Sequence, residues 1–79
     1  MIEHIDAYDI REARMLILRI YVNDSEMNKE NMYQRELDPH YLIDFHLKKY
    51  SPYFNIPQDY RFGFVVVGTD GNIIHNGMD

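Results

Sequence analysis

Apolar and polar side chains alternate over residues 13–22, where four aliphatic residues share one face and Arg19 and Tyr21 lie on the other. The four are Leu16, Leu18, Ile20 and Val22. A period of two residues is typical of a strand, and the β-branched residues at the end of the segment favour a strand over the competing helix. A long helix from Ile2 is also compatible with the apolar spacing, so the pattern leaves the state of residues 1–12 open.

The second clear pattern is a C-terminal hairpin. The strand predicted at 61–68 is apolar on both faces from Phe62 onward, which is typical of a central strand. Asp70 and Gly71 separate this segment from 72–77, and Asp-Gly between apolar strands predicts a two-residue type I′ turn. That turn pairs Val67 with Ile74, Val66 with His75 and Val65 with Asn76.

The middle of the chain is harder to interpret. Ser25 suits a helix N-cap and predicts a short helix over 26–36, with a long hairpin connection as the alternative. Asp38-Pro39 is also a plausible helix start. The apolar residues that follow nevertheless alternate with polar ones, and this alternation favours a strand over 40–48. The alternating apolar residues are Tyr41, Ile43, Phe45 and Leu47.

Together these elements predict a single α+β domain over residues 1–79. Its antiparallel sheet has about four strands, at 13–22, 40–48, 61–68 and 72–77, with one short helix at 26–36 and the C-terminal hairpin. A chain of 79 residues forms one modest core. Its 46% hydrophobic content is that of a folded chain.

The net charge and the composition limit the classes of partner that we expect this protein to bind. The net charge of −5 disfavours direct binding to nucleic acid and to anionic membrane surfaces. No apolar run approaches the roughly 20 residues of a membrane span, and no signal-peptide pattern begins the chain. The chain has no cysteine, which excludes disulfides and fits a reducing compartment. We therefore expect a cytoplasmic protein without a membrane segment.

Candidate chemistry is sparse. No two histidines have the helical spacing of a metal-binding pair. A strand would place His40, Asp44 and His46 on one face, and His75 with Asp44 or Asp70 would be an acid–base pair if the fold joined them. Solvated polar positions on a half-buried strand explain these residues better, so the sequence predicts no catalytic residue, no metal site and no cofactor.

The main functional expectation is a non-enzymatic protein-binding module that self-associates, because so small a domain cannot bury all of its apolar side chains internally. Its expected contact residues are Ile17, Tyr21, Tyr50, Tyr53, Phe54 and Tyr60. The expected partner is another protein or a second copy in a homodimer. One alternative is a small acidic inhibitor or decoy, of the kind that mobile elements carry, that acts on a nucleic-acid-handling enzyme. A further alternative is a small histidine-dependent enzyme or metal site.

Overall fold

Residues 2–49 and 56–79, which the computed structural model describes, contain a four-stranded sheet and one short helix. The strands are β1 (Ile2–Ile10), β2 (Met15–Val22), β3 (Arg61–Val67) and β4 (Ile73–Met78). They lie in the order β1-β2-β3-β4. The predicted α+β class is confirmed at this level.

The sheet is mixed, which corrects the prediction of an antiparallel one. The pairs β1–β2 and β3–β4 are antiparallel hairpins, whereas β2 and β3 run parallel. Antiparallel neighbours need only a short turn, but parallel neighbours need a crossover of a dozen residues or more. The long connection over 23–60 provides that crossover.

The strand predicted at 40–48 is wrong, because this segment is helical. Helix α1 (Pro39–Ile43) begins at Asp38, whose side chain accepts hydrogen bonds from the backbone N–H groups of His40 and Tyr41. It continues as a π-helical segment over Asp44–Lys49. A β-strand also occupies Ile2–Ile10, where the sequence left the state open.

The helix predicted at 26–36 is also wrong, because residues 25–36 form a series of turns. The side chains of Asp24 and Asn28 accept hydrogen bonds from nearby backbone N–H groups. Such bonds compete with the helical pattern. The segment is anchored by Met27, Met32 and Leu37, which are buried at intervals of five residues rather than at helical spacing.

The C-terminal hairpin is confirmed, and its turn differs from the predicted one. Gly68 N–H donates to the carbonyl of Asn72, and Gly71 N–H donates to that of Gly68. Within this turn only Gly71 has a positive φ, 84°, whereas a type I′ turn needs two such residues. The turn is therefore a three-residue loop. Val66 and Val65 keep their predicted partners, but Val67 pairs with Ile73 across an irregularity in register.

The core lies on one side of the sheet, which we call the inner face. It contains the four aliphatic residues predicted to share a face of β2, together with two residues of β3. Apolar residues from the crossover and the helical segments cover them. The buried set is Leu16, Leu18, Ile20, Val22, Met27, Met32, Leu37, Ile43, Leu47, Phe64 and Val66.

Candidate interaction surface

The opposite side of the sheet, here called the outer face, has no helix or strand packed on it among the described residues. Side chains alternate across a strand, so the residues between the buried ones belong to this face. The strand register arranges them in rows. These rows are Ile10, Met15 and Arg61; Tyr8, Ile17, Gly63 and Met78; Asp6, Arg19, Val65 and Asn76; and His4, Tyr21, Val67 and Ile73.

An ion pair lies near the middle of the outer face. The Arg19 guanidinium donates two hydrogen bonds to the Asp6 carboxylate, at 2.7 and 3.0 Å. The central guanidinium carbon of Arg19, Cζ, lies 4.7 Å from the centre of the Tyr8 ring, within the range of a cation–π contact. The hydrogen bond from Arg19 lowers the pKa of Asp6, so the pair stays charged at neutral pH. Both charges are therefore already balanced within the chain.

Gly63 has no side chain, so the backbone leaves a hollow beside the Arg19–Asp6 ion pair, and neighbouring side chains occupy it. A Cβ atom at this position would lie 2.9 Å from Ile17 Cδ1 and 3.1 Å from Met78 Sδ, so these side chains fill the space above the glycine. Ile17 is consequently 8% exposed, whereas Met78 is 42% exposed and Tyr8 is 45% exposed. Much of the apolar surface available to a partner thus comes from the edge strands β1 and β4.

A depression of about 440 Å³ lies where β2 and β3 end, and we call this region the Tyr21 end of the outer face. It is lined by Glu3, His4, Tyr21, Val22, Val67, Gly68, Thr69 and Gly71. The His4 and Tyr21 rings lie 5.6 Å apart and form one wall. Nearby Ile73 is 58% exposed. An apolar depression with a few polar groups at its rim is typical of a site that receives a partner's side chain.

The predicted contact residues are distributed unevenly. Ile17 and Tyr21 lie on the outer face, although the chain itself covers most of Ile17. Tyr60 lies elsewhere and packs against the core. The other three, Tyr50, Tyr53 and Phe54, lie outside the described residues. Sequence reasoning missed Tyr8, Val65, Val67, Ile73 and Met78; for Tyr8, the missing signal was the assignment of residues 2–10 as a strand.

Tyr60 belongs to a polar cluster beside the β1–β2 turn. Its hydroxyl donates to Asp9 at 2.9 Å, which raises the pKa of Tyr60. Arg14 has a left-handed backbone with φ 52° and makes a two-point ion pair with Asp59, at 2.5 and 2.7 Å. That hydrogen bonding lowers the pKa of Asp59. This cluster joins the first hairpin to the segment before β3.

The histidines considered for an enzyme or metal site lie beside acidic or aromatic side chains. His40 Nδ1 lies 3.1 Å from Oδ1 of Asp79, and the other carboxylate oxygen, Oδ2, accepts a hydrogen bond from Lys48 Nζ. Asp44 lies beside Lys48. His75 and His40 each lie 5.3 Å from the Phe64 ring. His46 contacts Phe45 instead.

The His40–Asp79 contact is the arrangement that most favours acid–base chemistry, because a carboxylate can orient an imidazole. Lys48 already shares that carboxylate, however, and its hydrogen bond lowers the pKa of Asp79. Over residues 2–49 and 56–79, no group of three or more histidine or acidic side chains could hold a metal ion. No helix in that part of the chain is long and apolar enough to cross a membrane.

Comparisons with protein-family models, with curated proteins and with solved structures found no match to this chain.

Proposed function

We propose that the chain is a non-enzymatic protein-binding module that forms a homodimer through the outer face of its sheet. One observation carries the proposal: apolar side chains surround an internally balanced ion pair on a face that no described element covers. Large side chains on that face, Tyr8, Ile73 and Met78, are 42–58% exposed. Tyr and Arg, both present here, are the residue types that most often dominate protein interfaces.

The size of the face predicts how strongly two copies associate. Four strands about 4.8 Å apart span about 19 Å with their side chains, and seven residues along a strand span about 20 Å. The projected area is therefore about 400 Å² per copy, or about 800 Å² for two copies, below the standard interface of about 1,600 Å². We expect a reversible dimer whose population depends on protein concentration.

Charge distribution favours this proposal over an acidic decoy. A decoy needs free carboxylates on one contiguous surface, but several carboxylates of the described residues are neutralised within the chain. Asp6, Asp24, Asp59 and Asp79 each pair with an arginine or lysine. A decoy would also bind a basic enzyme with an affinity that falls steeply as salt is added. An apolar homodimer would respond far less to salt.

The test is sedimentation equilibrium from about 1 μM to about 1 mM, the range that brackets dissociation constants of weak complexes. Ile73→Ser should weaken the dimer by about 1–2 kcal/mol, because a partly exposed side chain contributes to an interface more than to the core. Tyr33→Ser is the matched control, since Tyr33 is 54% exposed and lies on the crossover. A wild-type monomer throughout this range, or equal effects of both variants, would refute the proposal.

A further inference from the structure

Two charged residues near opposite ends of the outer face have no ion-pair partner in the described part of the chain. Glu3 lines the depression at the Tyr21 end. Arg61 begins β3 at the other end, which we call the Arg61 end, and its register with Met15 places it on the outer face. Its backbone N–H donates to the Arg14 carbonyl, so the main chain from which the side chain extends is held in place.

Two symmetric arrangements can stack one outer face on another with nearly aligned strands. If the two-fold axis runs along the strands, the Arg61 end of one copy covers the same end of the other. Each Arg61 then lies over Met15 of the second copy, with the two guanidinium groups close together. If the axis runs across the strands, each Arg61 instead lies over the Tyr21 end of the second copy.

Charge distinguishes the two arrangements. The first brings like charges together in a partly desolvated interface, which is unfavourable. The second brings a guanidinium to a depression whose walls include an aromatic ring and whose rim has a free carboxylate, Glu3. An arginine can lay its aliphatic stem on apolar surface and stack on Tyr21 while its head pairs with the carboxylate.

We propose that the homodimer has its two-fold axis across the strands, and that Arg61 of each copy occupies the depression beside Tyr21 and Glu3 of the other. This inference rests on the proposed function and specifies its geometry. The ligand of the depression is thus an arginine side chain of a second copy. Each dimer contains two such contacts because the arrangement is symmetric.

Charge reversal tests the contact directly. Glu3→Arg alone sets two pairs of arginines against each other, and Arg61→Glu alone sets two pairs of glutamates against each other. Each variant should raise the dimer dissociation constant about tenfold, since an exposed ion pair contributes modestly and is present twice. An equimolar mixture of the two variants should restore association, because the mixed dimer contains two Arg–Glu pairs.

The mixture separates contacts between copies from contacts within one copy, since only the former are restored by mixing. Glu30→Arg is the control with the same change of charge, and it lies on the crossover. Circular dichroism should show all three variants folded, because these side chains are exposed. A wild-type dimer that is indifferent to both reversals would overturn this inference and leave the proposed function intact. Weakening by both reversals without restoration on mixing would also overturn it. A monomeric wild type would overturn both proposals.

Discussion

Replacing Asp38, the N-cap residue of α1, by alanine should destabilise the protein by about 1 kcal/mol. The carboxylate of Asp38 accepts hydrogen bonds from the backbone N–H groups of His40 and Tyr41, at 3.1 and 3.3 Å. Asp38→Ala leaves both donors without this acceptor. Asp38 is exposed, so water can solvate the donors, and the loss should stay near the typical value for a cap rather than reach the cost of a buried defect.

Urea unfolding followed by far-UV circular dichroism measures this change, and about 1 kcal/mol corresponds to a fall in Tm of about 4–8 °C for a chain of this size. Asp38→Asn is the control, because asparagine is an equally good cap. Equal losses in both variants would assign the effect to charge instead of to hydrogen bonding. An unchanged stability of Asp38→Ala would mean that the cap adds nothing, as expected if residues 40–48 formed a strand.

Three other perturbations follow from the geometry. Gly71→Val should lower Tm because φ at this position is 84°, whereas Gly71→Asn should be tolerated better; equal melting temperatures would contradict the assigned turn. Gly63→Val should cost about 1–3 kcal/mol in chemical denaturation, because its Cβ would meet Ile17 at 2.9 Å; a neutral effect would show that the hollow can expand. Lys48 lowers the pKa of Asp79, so the stability from this pair is complete above the unfolded pKa of about 3.9 and is lost as pH falls through the folded one. Lys48→Met should therefore lose less stability than wild type between pH 5 and pH 2, roughly the window in which a carboxylate of lowered pKa titrates; parallel pH profiles would refute this reasoning.

The central strands could be read from sequence because their own side chains decide their environment. Leu16, Leu18 and Ile20 alternate with residues of the other face, and this pattern predicted which side is buried. The parallel pairing of β2 with β3 could not be read in this way. Alternation gives the face of each residue but does not identify the neighbouring strand or its direction.

The sequence pattern after Asp38 predicted a strand instead of a helix because the apolar residues of this segment form two stripes. Ile43 and Leu47, four residues apart, point into the core and are buried. Tyr41 and Phe45 have the same spacing and lie on the exposed side, where their rings stack 6.1 Å apart. Two stripes interleaved along a helix have the same apolar–polar alternation as a strand, so counting alternate positions favoured the wrong element.

The outer face could be predicted only in part. The sequence indicated that the second face of the sheet needs a cover, and Tyr21 lies there. The sequence did not predict that β1 contributes side chains to this face, because an edge strand with three acidic residues has little apolar periodicity. The end of β4 could not be assigned to this face without the register that places Met78 beside Gly63.

The parallel pairing of β2 with β3, here called the seam, also has a consequence for how the chain folds. Each antiparallel hairpin joins residues close in sequence and can form early, whereas the seam joins Met15 to Arg61 across the whole crossover. Closing so long a loop costs conformational entropy before any seam contact compensates for it. Docking of the two hairpins should therefore limit the folding rate. Substitutions that weaken the turn at Gly71, which forms before docking, should mainly slow folding and change the unfolding rate little.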